Sequence, residues 1–133
     1  MNYLLDANVV IALLNDRDSH PARRVRRHKP SDIGISSIVA HELYYGAFKS
    51  RRTARNVALV DSLQFAVLDF DRDDARQAGE VRAFLAAKGR PIGPFDVLIA
   101  GQAKARKLIL VTHNTNEFRR VPGLSVEDWG RTR

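Results

Sequence analysis

Residues 3–14 read YLLDANVVIALL, and this stretch decides the fold class. The apolar run at residues 3–5 is short and ends at an acid, which is typical of a buried strand. Residues 8–14 then read as a helix that begins almost directly after the strand. A strand that passes straight into a helix is the first half of a βαβ unit, so it indicates an α/β domain.

The same alternation of strand and helix continues along the chain. Further strands are predicted at residues 32–35, 65–68, 108–111 and 124–126. Helices are predicted at residues 19–29, 38–48, 53–63, 71–88 and 94–106. Strands separated by helices predict a central parallel sheet of four to five strands flanked by helices. Because no linker or repeat interrupts this order, we expect residues 1–133 to form a single domain.

The composition excludes several classes of protein. With 44% hydrophobic and 28% charged residues, the chain reads as globular. No apolar run is long enough to span a bilayer, and the N-terminus meets Asp6 without a basic region, so we expect a cytoplasmic protein without a membrane partner. The absence of cysteine excludes disulfides and thiolate metal sites. A net charge of +7 favours a polyanionic partner such as nucleic acid.

Three acids lie beyond the carboxyl ends of the predicted parallel strands, which is where such sheets bind their ligands. Asp6 follows the first strand, Glu42 lies on the helix after the second, and Asp96 begins the helix before residues 108–111. Each has an ordinary alternative. Asp6 could be a helix N-cap, although Asn8 could cap equally well. Glu42 could border an apolar stripe, and Asp96 could pair with the helix dipole.

Taken together, the three acids predict a metal site. Asp96 stands in GRPIGPFDVLIAGQAKA, among apolar neighbours where an unpaired carboxylate is costly to bury. Clustered carboxylates repel unless a cation lies between them. Hard oxygen ligands without cysteine suit Mg²⁺ or Mn²⁺. An acidic site on a basic protein is the charge pattern that we expect of a nuclease.

Four segments resemble a PIN-domain ribonuclease of the VapC toxin type, in the right order over essentially the whole chain. They are YLLDANVVIALL, ISSIVAHELYYGAFKS, GRPIGPFDVLIAGQA and LILVTHNTNEFRRVPGLSVEDW. The resemblance implies a PIN-like α/β fold and a Mg²⁺- or Mn²⁺-dependent endoribonuclease. It also implies a homodimer and a larger complex with a cognate VapB-like antitoxin.

The resemblance assigns the site residue by residue. The first three acids of the family fall on Asp6, Glu42 and Asp96, which are the expected metal ligands. Asn114 occupies the fourth position, where many PIN domains have Asp, and Glu117 is a possible substitute three residues on. We therefore expect a catalytic set of four residues and one firmly bound ion. Asp6 and Asp96 hold it, and Glu42 ligates directly or through water.

RNA contacts are expected from residues near these acids. The predicted substrate-binding residues are Arg90, Thr112 and Asn8. Two basic segments supply further candidates, unless they are simply solvated helix faces: Arg23, Arg24, Arg26, Arg27, Lys29, Lys49, Arg51, Arg52 and Arg55. The resemblance over GRPIGPFD and THNTNEF is to relatives that cut transfer RNA near the anticodon, including initiator tRNA.

Two other functions fit parts of the pattern. A non-catalytic RNA-binding module would keep the fold and the basic surface, with turnover lost at Asn114. A receiver-like phosphoacceptor also collects acids at strand ends. That class needs an acidic pair after the first strand, however, and here Ala7 follows Asp6.

Overall fold

A computed structural model of the protein describes residues 1–130. Five strands form one sheet: β1 (Tyr3–Leu5), β2 (Ile33–Ser36), β3 (Ala66–Leu68), β4 (Ile109–Val111) and β5 (Val126–Glu127). Their order is β3-β2-β1-β4-β5, and every neighbouring pair is parallel. This confirms the predicted parallel sheet. Receiver-like folds have the order 2-1-3-4-5, so the sheet excludes that alternative.

The helices follow the predicted order, with two additions. They are α1 (Ala7–Asn15), α2 (His20–Arg26), α3 (Ser37–Phe48), α4 (Thr53–Asp61), α5 (Arg72–Ala87), α6 (Pro94–Ala105) and α7 (Thr115–Phe118). The short helix α7 and a 3₁₀ turn at Pro30–Asp32 were not predicted, because neither is long enough to show a hydrophobic period. Within residues 1–130, no helix is both long and apolar enough to cross a membrane.

The centre of the sheet is β1, which pairs with β2 on one side and with β4 on the other. Leu4 and Leu5 are fully buried there. β1 therefore lies between β2, the next strand in sequence, and β4, which comes from the far end of the chain. In doubly wound sheets this reversal of strand order opens a crevice beyond the carboxyl ends of the strands. Asp6 lies at that point, and its N–H donates to the Val111 carbonyl at 2.9 Å.

The position of α6 is fixed by close packing against α5. A Cβ built at Gly101 would lie 2.4 Å from the Ala78 Cα, so the helices meet at a point where only glycine fits. Beside this contact, Arg106 on α6 donates to the buried Asp74 carboxylate at 3.0 Å and to the Asp69 carbonyl at 2.7 Å. These contacts hold the helix whose first turn carries Asp96.

Candidate active site

Asp6 has two structural partners. One carboxylate oxygen, Oδ1, accepts from the Ala7 N–H at 2.8 Å, so Asp6 is the N-cap of α1. The other, Oδ2, accepts from the Thr112 hydroxyl at 2.7 Å. The sequence had left open that Asn8 caps this helix. It does not, because its side-chain oxygen accepts from the His113 N–H at 3.3 Å. Asp6 thus caps the helix and faces the crevice at the same time.

The Thr112 hydroxyl is committed to the protein. The residue is fully buried after β4; besides donating to Asp6, its hydroxyl accepts from the Asn114 N–H at 3.0 Å. This differs from the expectation that Thr112 contacts the substrate, because a buried hydroxyl with two internal partners is not available to RNA. The geometry gives Thr112 a different part, which is to orient the Asp6 carboxylate.

Glu42 is presented by α3, which starts where β2 ends. The Ser36 hydroxyl caps this helix by accepting from the Ile38 N–H at 3.0 Å. The predicted stripe of Val39, Leu43 and Ala47 is buried, and it fixes the rotation of the helix. Glu42 is half-buried beside that stripe, and its Oε1 is buried with no hydrogen-bond partner in the described part of the chain. Such an oxygen is open to a cation.

Asp96 faces a fourth acid, Glu117. Pro94 begins α6 and places Asp96 in its first turn, where the Asp96 carboxyl interacts with the carboxyl of Glu117. The Gly93 N–H donates to Glu117 Oε1 at 2.9 Å. Asn114 is the N-cap residue of α7, and its side-chain amide donates to Glu117 Oε2. The structure therefore brings Glu117 to Asp96 as a fourth acid, and the predicted site residue Asn114 is its hydrogen-bond donor.

The four acids form one electrostatic group. Burial, together with the charges of Asp6 and Asp96, raises the pKa of Glu42 to about 6. Burial and then the charges of Asp6 and Glu117 raise the pKa of Asp96 to about 6. Burial also raises the pKa of Asp6, against the opposing hydrogen bond from Thr112. Raised carboxyl pKa values of this kind mark functional sites, because the charge is costly there without a partner.

The acids do not form a finished set of metal ligands. Among residues 1–130, no three His, Asp or Glu side chains converge tightly enough to hold an ion as they lie. The Asp96 and Glu117 carboxyls instead interact with each other. The donor chemistry nevertheless fits a hard divalent cation, because all the groups are carboxylates and Glu42 keeps a buried oxygen without a partner.

From the sequence, Glu117 was expected only as a substitute for Asn114. The available signal was its spacing of three residues from Asn114, which aligns two side chains on a helix if a helix forms there. Arg90 is exposed on the turn after α5, and its contact with RNA stays a prediction.

The fold and the acidic crevice define the class of protein. The family model of the PIN domain matches residues 3–124, so the chain belongs to the PIN-domain family. It is 42% identical over 131 residues to the tRNA(fMet)-specific endonuclease VapC of Shigella flexneri, covering 97% of this chain and 98% of the relative. It is 36% identical over 131 residues, with the same coverage, to ribonuclease VapC2 of Haemophilus influenzae strain KW20.

Solved structures give the same result and narrow the class to the VapC type. The DNA-bound VapBC structure from Salmonella typhimurium matches with a TM-score of 0.92 and 42% identity, over 97% of this chain and 98% of that one. VapBC2 from Rickettsia felis, bound to a fragment of promoter DNA, matches with a TM-score of 0.89 and 34% identity, over 97% and 99% of the two chains.

Proposed function

We propose that this chain is a metal-dependent endoribonuclease and the toxin of a VapBC-type toxin–antitoxin module. One observation carries the proposal. Asp6, Glu42, Asp96 and Glu117 meet beyond β1 and β4, on a protein whose net charge is +7. The basic surface attracts the RNA backbone, and the acidic centre keeps a site for cations at the point of cleavage.

Asp6, Glu42 and Asp96 would hold Mg²⁺, or Mn²⁺ in its place, and Glu117 is the fourth carboxylate. When bound, the ion supplies charge neutralisation at the scissile phosphate and a lower pKa for the attacking water. Thr112 keeps the Asp6 carboxylate in one orientation through its 2.7 Å hydrogen bond.

The same acids can carry the proton of the reaction. Glu42 keeps a buried Oε1 without a hydrogen-bond partner in the described part of the chain, which makes it the proposed acceptor for the proton of the attacking water. Water then attacks the phosphorus in line while the P–O bond opposite it breaks, and the leaving oxygen takes up a proton, with no covalent enzyme intermediate. Asn114 orients Glu117 through its side-chain amide. Arg90 and Asn8 are the proposed contacts to RNA, and Arg90 is a phosphate contact.

The proposed substrate is transfer RNA, with initiator tRNA as the first candidate and the anticodon loop as the place of cleavage. The similarity to the tRNA(fMet)-specific endonuclease VapC of Shigella flexneri supports this substrate. Cleavage of this RNA would inhibit translation.

The proposed antitoxin has a groove to occupy beside the site. A cleft of about 420 Å³ between α1, α3 and α4 is lined by Ile11, Leu14, Leu59 and Val60, and Glu42 also lines it. Ile11 is 47% exposed there, although it is a large apolar residue. An apolar segment of a VapB-like antitoxin that lies in this cleft would cover Ile11 and reach Glu42.

Substitution of Ile11 by glutamate should weaken antitoxin binding by at least about tenfold, because it places a charge in the apolar cleft. Phe84→Glu is the matched control, since Phe84 is 42% exposed on α5 and does not line the cleft. Titration of each variant with the neighbouring gene's antitoxin measures the difference. Equal affinity of the two variants would place the antitoxin elsewhere.

The proposed activity is tested by metal removal. Purified protein should cut initiator tRNA with Mg²⁺ present, and EDTA should reduce the rate by at least about 100-fold because the clustered acids then repel the phosphate. Excess Mg²⁺ or Mn²⁺ should restore the rate. RNA that binds without being cut under any of these conditions would instead identify a non-catalytic RNA-binding module.

Three expectations from the sequence stay predictions: the single domain over residues 1–133, the homodimer and the cytoplasmic location. Light scattering of the purified chain measures the second directly.

A further inference from the structure

Two aromatic rings meet between the helices that carry Glu42 and Asp96. His41 on α3 and Phe95 on α6 have ring centroids 5.6 Å apart at an interplanar angle of 55°. Each ring belongs to the residue directly before a site acid, because His41 precedes Glu42 and Phe95 precedes Asp96. The pair therefore connects the two helices that present those acids.

The two rings are open to solvent. His41 is exposed, and Phe95 is 45% exposed, although its backbone lies in the first turn of a helix whose other apolar residues are mostly buried. Packing of the core thus does not account for the position of the Phe95 ring. Two other exposed aromatic residues on α3 are less suited to contact RNA at the site. Phe48 lies nearly two turns beyond Glu42, and the Lys49 ammonium lies over the ring of Tyr45 at 4.9 Å.

An acidic site needs an attraction to RNA that does not depend on charge. The carboxylates repel the phosphates of the strand that must enter, and electrostatic attraction comes only from basic residues around them. A nucleobase is uncharged and has a flat face, so it can stack on an aromatic ring of the protein whatever its sequence. His41 and Phe95 each precede a site acid in sequence, and their rings meet between the two helices that carry those acids.

We propose that His41 and Phe95 form a stacking platform for the nucleobase next to the cleaved phosphodiester. This inference rests on the proposed ribonuclease function and adds to it the residues that position the strand. Stacking on the platform holds the neighbouring phosphate beside Glu42 and Asp96. The platform is a positioning device and takes no part in proton transfer.

Binding measured without cleavage tests the platform. In EDTA, Phe95→Ala should raise the Kd for a short single-stranded RNA by about 5- to 100-fold, the range that one stacked base accounts for. Phe95→Trp should retain the wild-type Kd, because tryptophan also offers a flat ring. Phe84→Ala is the matched control, with a ring that is 42% exposed on α5. Unaltered circular dichroism shows that each variant is folded.

The salt dependence of binding separates stacking from charge. Loss of a stacked base should lower affinity by the same factor at every salt concentration, so the slope of log K against log salt is unchanged in Phe95→Ala. Arg90→Ala should instead reduce the slope, if Arg90 contacts a phosphate. A change in slope for Phe95→Ala would overturn the platform.

A change in the RNA gives the final test. Once the cleaved bond is mapped, an abasic nucleotide beside it should raise KM for the wild type and leave Phe95→Ala unaffected, with kcat nearly constant. A wild type and a Phe95→Ala variant with equal Kd would overturn the platform. A wild type that cuts no RNA would refute the proposed function, while the Kd values would still decide whether the platform binds a base.

Discussion

The Asp96→Asn variant is expected to lose RNA cleavage by at least about 100-fold, because asparagine cannot carry the charge that the site uses to hold a cation. Asp6→Asn should lose as much activity and remain folded, since asparagine caps a helix as well as aspartate does. Initial rates on initiator tRNA in Mg²⁺ measure the loss. Asp73→Asn, which neutralises an exposed acid on α5, is the control and should cut normally. Full activity in both Asp6→Asn and Asp96→Asn would remove these carboxylates from the mechanism.

The same Asp96→Asn change should stabilise the metal-free protein. Folding raises the pKa of Asp96 from 3.8 to about 6, so the folded state binds the proton more tightly than the unfolded state does. Stability from this group is present at low pH and is lost as pH rises from about 4 through about 6. At pH 7.5 in EDTA we expect Asp96→Asn to exceed the wild type by about 1 kcal/mol in free energy of unfolding, after allowance for solvent screening.

Urea denaturation at pH 7.5 and at pH 4 measures this difference. The difference in stability should be much smaller at pH 4 than at pH 7.5, because Asp96 is then protonated in the folded wild type and partly protonated in the unfolded chain. Addition of Mg²⁺ at pH 7.5 should stabilise the wild type more than Asp96→Asn, since only the wild type keeps the full set of acids. A variant that is less stable than the wild type at pH 7.5 would show that Asp96 is a structural residue.

The positions of three site acids could be predicted because they depend on local sequence. Asp6 ends a short apolar strand, Glu42 borders a buried helical stripe, and Asp96 follows Pro94 at a helix start. Strand ends and helix starts are local features, and a parallel sheet brings its carboxyl ends to one edge. The number and direction of the strands followed from the same alternation.

The contacts that complete the site could not be predicted because they join distant parts of the chain. Glu117 meets Gly93 and Asp96 from a four-residue helix that is too short to show a hydrophobic period. The Thr112 hydroxyl meets Asp6 because β4 pairs with β1, and no local pattern gives that order of strands. The approach of Glu117 to Asp96 is therefore a tertiary effect.

The contact between α5 and α6 gives the largest expected effect on stability. In Gly101→Ala, the new methyl carbon would lie 2.4 Å from the Ala78 Cα and 2.5 Å from the Ala78 nitrogen. These are backbone atoms of a neighbouring helix, so the two helices must separate. We expect a loss of about 3 kcal/mol in free energy of unfolding, the upper end for an overpacked core. Thermal and urea denaturation measure it, and displacement of Asp96 with α6 should also lower the rate of RNA cleavage.

Gly79→Ala is the matched control for this substitution, because it adds the same methyl group one residue from Ala78. A Cβ at Gly79 meets no atom within 4 Å, and the residue lies inside α5, where alanine is the better helix former. Gly79→Ala should therefore stabilise the protein by about 0.5 to 1 kcal/mol. Gly101→Ala should thus lower the free energy of unfolding, whereas Gly79→Ala should raise it. This difference distinguishes the close approach of α6 to α5 from a general effect of replacing glycine. If Gly101→Ala were as stable as Gly79→Ala, the helices would not be in contact at Gly101, and α6 would need another support to hold Asp96 beside Glu117.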